Sequence, residues 1–354
     1  MRILIVAPSL RITGGQSVQA ARLLEELGRR PGLAVDFQAV DPQLPGWLAG
    51  LQKIKYLRTV VNETVYLLAL LVRVWRYDVI HAFSAGYWSF LLAPAPAILL
   101  GRLFGCRTVL NYRNGTLEDH LIRFPRAARL MGLAHQIVPP SGFLVDVYAR
   151  FGLPAQHIFN IIDTKAFPYR ERSEPKPHFF HNRGMDALYN IPCTLRAFAI
   201  IQQKYPEASL RLAHDGPLRS QLEGMVRELG LRNVEFLGFV DQTRMKQLYD
   251  EADIYLMSPD MDNMPGSILE CYACGLPFVS TAAGGVPYIV EDGRTGLLVP
   301  VSDHQGMAQA ALRLLEEPGL AKKLSEAGRE ECERYRGPEV AKQWEALYSE
   351  LTQR

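Results

Sequence analysis

The sequence has little of several features that define classes of protein. Its 354 residues include an odd number of cysteines, five, which do not form a disulfide framework. Lys plus Arg and Asp plus Glu nearly cancel, at 39 against 37, so net charge does not indicate a nucleic acid or an acidic partner. No segment has the ~20 uninterrupted apolar residues that a membrane span requires. Because a signal-peptide pattern is also missing at the start, we expect a globular, cytoplasmic protein.

Two common kinds of site are also incomplete. Cys271 and Cys274 form a Cys-x-x-Cys pair, but no second pair or nearby histidine completes a zinc site. We therefore interpret them as two small residues on a buried helix face and predict no metal. Gly14 and Gly15 follow an apolar run without the G-x-G-x-x-G spacing of a dinucleotide fingerprint, and a plain tight turn explains them equally well. This disfavours a nicotinamide-dependent oxidoreductase.

Alternating apolar runs and helical patterns predict an α/β fold. The apolar run Arg2–Ala7, the glycine turn and the helical pattern from Gln16 to Arg30 are typical of the opening of a doubly wound sheet. The alternation continues through both halves of the chain, which predicts parallel sheets covered on both faces. The other predicted strands are Ala34–Val40, Asp78–Ala82, Arg107–Tyr112, Gln136–Pro139, Leu210–Ala213, Val234–Leu237, Asp253–Leu256, Pro277–Ser280 and Gly296–Val299.

The length and a change in composition predict two domains. A chain of this size is longer than a usual single domain, and the stretch from Pro168 to His178 is polar and contains proline. We therefore place one domain at residues 1–165, a second at 166–336 and an amphipathic terminal helix at 337–354. Ser302 and Gln305 have the spacing of a capping box before a further apolar helix.

The segment from Ser258 to Pro300 is the most informative about function. Asp262 and Glu270 flank a turn that contains Pro265 and Gly266 and leads into an apolar helix. A helix N-terminus beside such a turn binds anions, because free N–H groups and the positive end of the dipole meet there. Carboxylates beside it are suited to accept hydroxyl groups. This arrangement suits a ligand with a central phosphate and hydroxyls at both ends, such as a nucleotide sugar.

The same segment resembles the signature of glycosyltransferase family 4. That signature has two acids separated by seven positions, then a small-residue helix and a Gly-Gly loop, which here are Asp262, Glu270, Ala273–Pro277 and Gly284-Gly285. Taken singly, Asp262 is better explained as a turn cap and Glu270 as a solvated helix residue. The full pattern favours membership, strongly for the C-terminal half of the chain and more loosely for the N-terminal half.

The resemblance implies the GT-B architecture, with two Rossmann-like domains facing a cleft and the terminal helix crossing back to the first domain. It implies a glycosyltransferase that moves a sugar from a nucleotide-sugar donor to a glycan or lipid-linked acceptor, with retention and without a metal or other cofactor. The first domain would face the acceptor and the second would bind the donor. A cation and backbone N–H groups would then stabilise the departing diphosphate in place of magnesium.

The resemblance also assigns roles to individual residues. Arg183 matches a phosphate-binding arginine, although a surface arginine in a polar loop remains an alternative. Glu270 would hold the ribose hydroxyls and Val240 would contact the base through its backbone. The remaining donor contacts would come from Asp262, from the backbone of Asn263, Met264, Pro265 and Gly266, and from the N–H groups of Gly14 and Gly15.

The chain departs from the family pattern at two cationic positions. Tyr189-Asn190 stands where the family usually has a lysine, and Arg113 stands nearest to a usual histidine. Arg113 could supply the missing positive charge, so we include it among the catalytic candidates. The alternative is a catalytically impaired GT-B protein that acts as a nucleotide-sugar-binding or partner subunit. His81, at a strand end, is more typical of a structural histidine than of a catalytic one.

The segment from Trp47 to Arg76 is apolar and basic. This composition suits a surface that lies on an anionic membrane, where lipid-linked acceptors reside, although amphipathic helices in a first domain usually just pack inside it. The sequence therefore predicts a cytoplasmic protein with a peripheral contact to the inner face of the membrane, and no nucleic-acid partner.

Overall fold

The computed structural model describes residues 1–11, 14–43 and 55–353, except for the side chains of residues 55 and 56. The chain divides into two compact units. The first domain comprises Met1–Ile161 together with Gly337–Arg354, and the second domain comprises Ile162–Arg336. The chain therefore passes from the first domain to the second once and returns once.

The first domain contains a five-stranded parallel sheet in the order β2-β1-β3-β4-β5. Its central strands are buried on both faces, as expected for a parallel sheet covered by helices. The fifth strand is shorter than the sequence predicts and ends at Ile137. The strands are β1 (Arg2–Ala7), β2 (Ala34–Ala39), β3 (Val79–Ser84), β4 (Arg107–Tyr112) and β5 (Gln136–Ile137).

Seven helices of the first domain precede the second domain among the described residues. The second of them has 19 residues, and part of the apolar and basic segment Trp47–Arg76, residues 47–54, lies outside the described residues. These helices are α1 (Gly15–Gly28), α2 (Lys55–Arg73), α3 (Trp88–Leu92), α4 (Pro94–Leu103), α5 (Leu117–Arg123), α6 (Pro125–Met131) and α7 (Gly142–Arg150).

The second domain contains a six-stranded parallel sheet in the order β11-β10-β9-β6-β7-β8. The central strand β6 (His178–His181) lies where the sequence predicts the end of a polar linker. Its Phe179 and Phe180 are 2% and 1% exposed. Four residues are therefore enough to form a buried strand between β9 and β7. The others are β7 (Ser209–Ala213), β8 (Val234–Gly238), β9 (Ile254–Met257), β10 (Phe278–Thr281) and β11 (Leu297–Val299).

The helices that follow α7 continue the α/β alternation and end with one that belongs to the first domain. They are α8 (Ile191–Lys204), α9 (Arg219–Glu228), α10 (Gln242–Glu251), α11 (Gly266–Cys274), α12 (His304–Glu316), α13 (Leu320–Cys332) and α14 (Gly337–Gln353). None of the helices in the described ranges is long and apolar enough to cross a bilayer.

The predicted capping box before α12 is wrong. Asp303, not Ser302, caps the helix, and its carboxylate accepts a hydrogen bond from Gly306 N at 2.8 Å. Ser302 lies one residue earlier with φ +64, and its hydroxyl accepts from Asn190 Nδ2 at 3.0 Å. An aspartate adjacent to a serine satisfies the same cap, so spacing alone does not separate them.

Helix α14 completes the core of the first domain. Trp344 and Tyr348 are buried beside His81 of β3, with the Trp344 and His81 ring centroids 4.4 Å apart. His81 Nδ1 lies 2.6 Å from the Tyr348 hydroxyl, and its Nε2 lies 3.1 Å from Asn111 Nδ2. Burial, with a smaller contribution from the charge of Arg113, lowers the pKa of His81 to about 3. His81 is therefore a neutral, structural group.

A buried arginine ties together the ends of two helices in the second domain. Arg172 is 2% exposed, and its guanidinium donates to the carbonyls of Tyr249 at 2.7 Å, Ala252 at 2.9 Å and Cys274 at 2.6 Å. These carbonyls lie at the C-terminal ends of α10 and α11, where backbone acceptors lack intrahelical partners and a cation is favoured. Arg172 thereby fixes α10 and α11 relative to each other.

Candidate functional site

The loop between β9 and α11 rests on a pair of glycines. Gly285 N donates to Asp262 O at 2.8 Å, and a Cβ at Gly285 would lie only 1.8 Å from Asn263 O. Gly284 has φ +53, and its Cβ would lie 2.3 Å from Asp262 O. Both positions therefore require glycine, which explains the Gly-Gly loop of the sequence signature.

Arg183 and Asp262 form an ion pair at the carboxyl ends of β6 and β9. Arg183 Nη2 lies 2.5 Å from Asp262 Oδ2, and the two side chains are 18% and 12% exposed. The guanidinium also lies over the ring of Tyr189, 4.3 Å from its centroid. Burial alone would lower the pKa of Arg183, but Asp262 and nearby tyrosines raise it well above its usual range, so the cation persists.

This pair leaves Arg183 with unused hydrogen-bonding capacity. A guanidinium has five N–H donors, and its Nε is buried without a partner among the described residues. Asp262 is oriented by its own loop, because it also accepts from Asn263 N at 2.8 Å. A buried, permanently charged and incompletely bonded arginine is suited to bind an anion.

A line of hydrogen bonds holds Glu270. The Tyr249 hydroxyl donates to Glu270 Oε2 at 2.6 Å, Asn182 Nδ2 donates to Tyr249 at 2.9 Å, and Tyr255 donates to Asn182 Oδ1 at 2.7 Å. Burial is the largest cause that raises the pKa of Tyr249 and of Tyr255, so both remain protonated donors. Sequence reasoning did not identify these three residues. The one available signal was the position of Asn182 immediately before Arg183.

The start of α11 is open in the way that the sequence predicts. Pro265 precedes the helix with φ −65 and ψ 120, and no side chain caps the first turn. A Cβ placed on Gly266 would meet nothing within 4 Å, while Asn263 and Met264 are 5% and 6% exposed. The Cβ position of Gly266 therefore faces open space, and the first-turn N–H groups have no side-chain cap.

Two more loops gather at the same edge of the second sheet. Val240 follows β8 and is partly buried, while His214 N, after β7, donates to Gly238 O at 2.7 Å. A Cβ on Gly216 would lie 2.5 Å from Met185 O, so this loop packs tightly on the segment after Arg183. The ends of β6, β7, β8 and β9 thus meet, and this is where open α/β sheets bind ligands.

The remaining candidates lie in the first domain. Gly14 and Gly15 form the uncapped start of α1, and a Cβ on either would meet nothing within 4 Å. Arg113 follows β4 and donates to Asn160 and to Asn111, the latter at 3.3 Å. Burial lowers the pKa of Arg113 to about 9. The structure therefore places Arg183, Asp262, Glu270 and Val240 in the second domain. It places Gly14, Gly15 and Arg113 in the first domain.

Residues 167–331 match the family model described as glycosyl transferases group 1. The chain is 28% identical over 233 residues to N-acetyl-alpha-D-glucosaminyl L-malate synthase of Bacillus anthracis, covering 63% of this chain and 58% of that protein. It is 29% identical over 290 residues to sulfoquinovosyl transferase SQD2 of Arabidopsis thaliana, covering 73% of this chain and 54% of that protein. The chain spans little more than half the length of these curated relatives.

Solved structures match nearly the whole chain. Anabaena Alr3699/HepE, in complex with UDP and glucose, aligns over 99% of both chains with a TM-score of 0.75 and 17% identity. Sucrose-phosphate synthase from Thermosynechococcus elongatus aligns over 99% of both with a TM-score of 0.80 and 20% identity. A two-domain protein with these folds and neighbours is of the GT-B class, as the sequence resemblance implied. The group 1 glycosyltransferase match covers nearly the whole of the second domain.

Proposed function

We propose that this protein is a retaining, metal-independent glycosyltransferase of family 4, which moves a sugar from a nucleotide-sugar donor to a glycan or lipid-linked acceptor in the cytoplasm. The observation that carries the proposal is the buried Arg183–Asp262 pair beside the open start of α11. The group 1 match covers this region, and the HepE neighbour has also been solved with UDP-glucose.

In this proposal the departing diphosphate lies against Arg183 and the N–H groups at the start of α11. The bond between the sugar's anomeric carbon and the phosphate oxygen breaks, and the acceptor oxygen attacks the same face. The leaving phosphate takes the acceptor's proton, so no separate protein base is needed. Fixed donors stabilise the developing phosphate charge without a metal ion, because they need no reorganisation during the reaction.

The other residues hold the donor in place. Asp262 accepts hydroxyl groups of the transferred sugar while it keeps Arg183 oriented, and the backbone from Asn263 to Gly266 lies along the same sugar. Glu270, held by Tyr249, binds the ribose hydroxyls. The Val240 backbone contacts the base, while Gly14, Gly15 and Arg113 of the first domain stay predictions from the family resemblance.

Tyr189-Asn190, which stands where the family usually has a lysine, offers no positive charge, and the Tyr189 ring lies under the Arg183 guanidinium. Asn190 Nδ2 donates to Asp260 Oδ1 at 2.8 Å and to the Ser302 hydroxyl at 3.0 Å, so it ties two loops together and carries no charge. We therefore propose that Arg183 supplies the principal phosphate charge of the second domain. A catalytically impaired, donor-binding protein is the second candidate that this substitution leaves open.

A thermal-shift panel of uridine, guanosine and adenosine diphosphate sugars tests the proposal. One donor at 100 times its Kd should add about 2.7 kcal/mol to the free energy of unfolding. That donor should then be consumed with an acceptor extract in the presence of a chelator, with the anomeric configuration of the product read by NMR. Binding without turnover supports the impaired alternative. No stabilisation by any donor would refute both.

Tyr249→Phe tests the role of the hydrogen bonds around Glu270. Removing the hydroxyl takes a charge-assisted hydrogen bond from Glu270, so donor affinity should fall by about 10-fold. Isothermal titration with the donor from the panel measures the change. Tyr205→Phe is the matched control, because Tyr205 also donates to a glutamate, Glu316 at 3.3 Å, away from the site. Equal donor affinity in both variants would contradict the assigned role of Tyr249.

A further inference from the structure

Helix α2 of the first domain is apolar on two opposite sides. One side, Tyr66, Leu70 and Val74 at its end, is fully buried against the sheet. The other side faces solvent, where Leu68 and Val72 are 58% and 64% exposed and Trp75, two residues after the helix, is 59% exposed. A helix that is apolar all round is normally buried all round. Here the described structure covers one side only.

Helix α4 extends the exposed apolar surface. It packs beside α2 on the same core, and the Tyr66 hydroxyl donates to Ala93 O at its start at 2.8 Å. Leu99 and Leu103 on α4 are 46% and 76% exposed, and Phe104 directly after the helix is 42% exposed. We call the outward side chains of α2 and α4 the apolar face. It comprises Leu57, Val60, Leu68, Leu71, Val72, Trp75, Leu99, Leu103 and Phe104.

The charges on and beside this face are positive. Arg58, Arg76 and Arg102 are all exposed, and the Arg76 guanidinium lies 5.0 Å from the centroid of the Trp75 ring. From residue 57 to residue 104 the sequence has two acids, Glu63 and Asp78. Glu63 is partly buried and Asp78 accepts a hydrogen bond from Arg2 N at 2.7 Å. Large apolar side chains bordered by arginines complement a surface of anionic headgroups over acyl chains.

We propose that the apolar face docks the first domain onto a membrane surface rich in anionic lipid. Leu68, Val72 and Trp75 enter the boundary between headgroups and acyl chains, and Arg58, Arg76 and Arg102 bind lipid phosphates. The helices lie on the membrane and do not span it, because the opposite side of α2 remains in the core. The face belongs entirely to the first domain, so this inference does not depend on the proposed transfer reaction.

Co-sedimentation of the full-length protein with vesicles tests docking. The wild type should bind phosphatidylcholine vesicles that contain phosphatidylglycerol and bind pure phosphatidylcholine much more weakly. Leu68→Gln with Trp75→Gln should lower the partition coefficient by about 100-fold, because two buried apolar side chains are lost from the bilayer. Arg58→Gln with Arg76→Gln should lower it by roughly 5-fold for each arginine, on the anionic vesicles only.

Leu229→Gln with Tyr288→Gln is the matched control, because it removes one leucine and one aromatic that are 39% and 44% exposed on the second domain. Its vesicle binding should equal that of the wild type. Absence of wild-type binding, or equal loss in both double variants, would overturn the proposal. Self-association by sedimentation velocity that disappears in Leu68→Gln with Trp75→Gln would also overturn it, because a second copy would then cover the face. Donor stabilisation in the thermal-shift panel should be unchanged in every variant.

Discussion

Replacing Arg183 by glutamine should lower kcat/KM for the donor by about 100- to 1000-fold, the usual effect of removing one donor from a charge-stabilising site. The substitution removes the buried cation that the proposal places against the diphosphate. It also leaves Asp262 without the partner at 2.5 Å that orients it. Steady-state kinetics with the donor identified by the thermal-shift panel measures the change.

A lysine variant separates the contribution of the Arg183 guanidinium from that of a positive charge alone. Arg183→Lys keeps a cation but loses the planar fork and the stacking on Tyr189, so its kcat/KM should lie between those of the wild type and Arg183→Gln. Arg313→Gln serves as the control, because Arg313 forms an exposed pair with Glu317 at 2.6 Å. A kcat/KM for Arg183→Gln within 3-fold of the control, roughly 0.6 kcal/mol, would mean that this arginine does not bind the reacting phosphate.

Replacing Arg172 by methionine should destabilise the second domain by at least about 3 kcal/mol. Methionine fills much of the same volume but leaves the carbonyls of Tyr249, Ala252 and Cys274 without the donors that Arg172 supplies. The midpoint of thermal unfolding should fall by roughly 10 °C for a domain of this size. Calorimetry of the full chain, with the domain assigned from its stabilisation by donor, measures the shift.

Arg329→Met is the matched control for Arg172. Arg329 donates to one carbonyl of α11, that of Ala273 at 2.9 Å, and it is less buried than Arg172. Arg329→Met should lower the free energy of unfolding by no more than about 1 kcal/mol, as for a single hydrogen bond. Equal midpoints in the two variants would show that Arg172 does not hold α10 and α11 in place.

Much of the fold follows from local sequence. Strands such as β1 and β4 are runs of β-branched and apolar residues, and their bounds agree with the predicted ones. The loop from Asp262 to Gly266 and the helix after it are also where the sequence predicts them, because proline and glycine mark the turn. The short strand β6 is different, since four residues are too few for a periodic pattern and pairing with β7 and β9 defines it as a strand.

The sequence predicts the chemistry of the site only in part. The sequence indicates both Arg183 and Asp262, but their contact joins residues 79 positions apart, and no local pattern encodes it. The hydrogen bond from Tyr249 to Glu270 has the same character. A tyrosine on an amphipathic helix is typical of core packing, and only the three-dimensional approach of α10 to α11 shows that its hydroxyl reaches a carboxylate.

The return of α14 to the first domain has a consequence for the order of folding during translation. All residues of the second domain, 162–336, are synthesised before α14, so the core of that domain needs nothing that comes later in the chain. The strands around His81 are synthesised earlier, but their core is complete only when Trp344 and Tyr348 of α14 pack against them. Although its first strand is synthesised at the beginning, the first domain is thus the last to have its complete core sequence available.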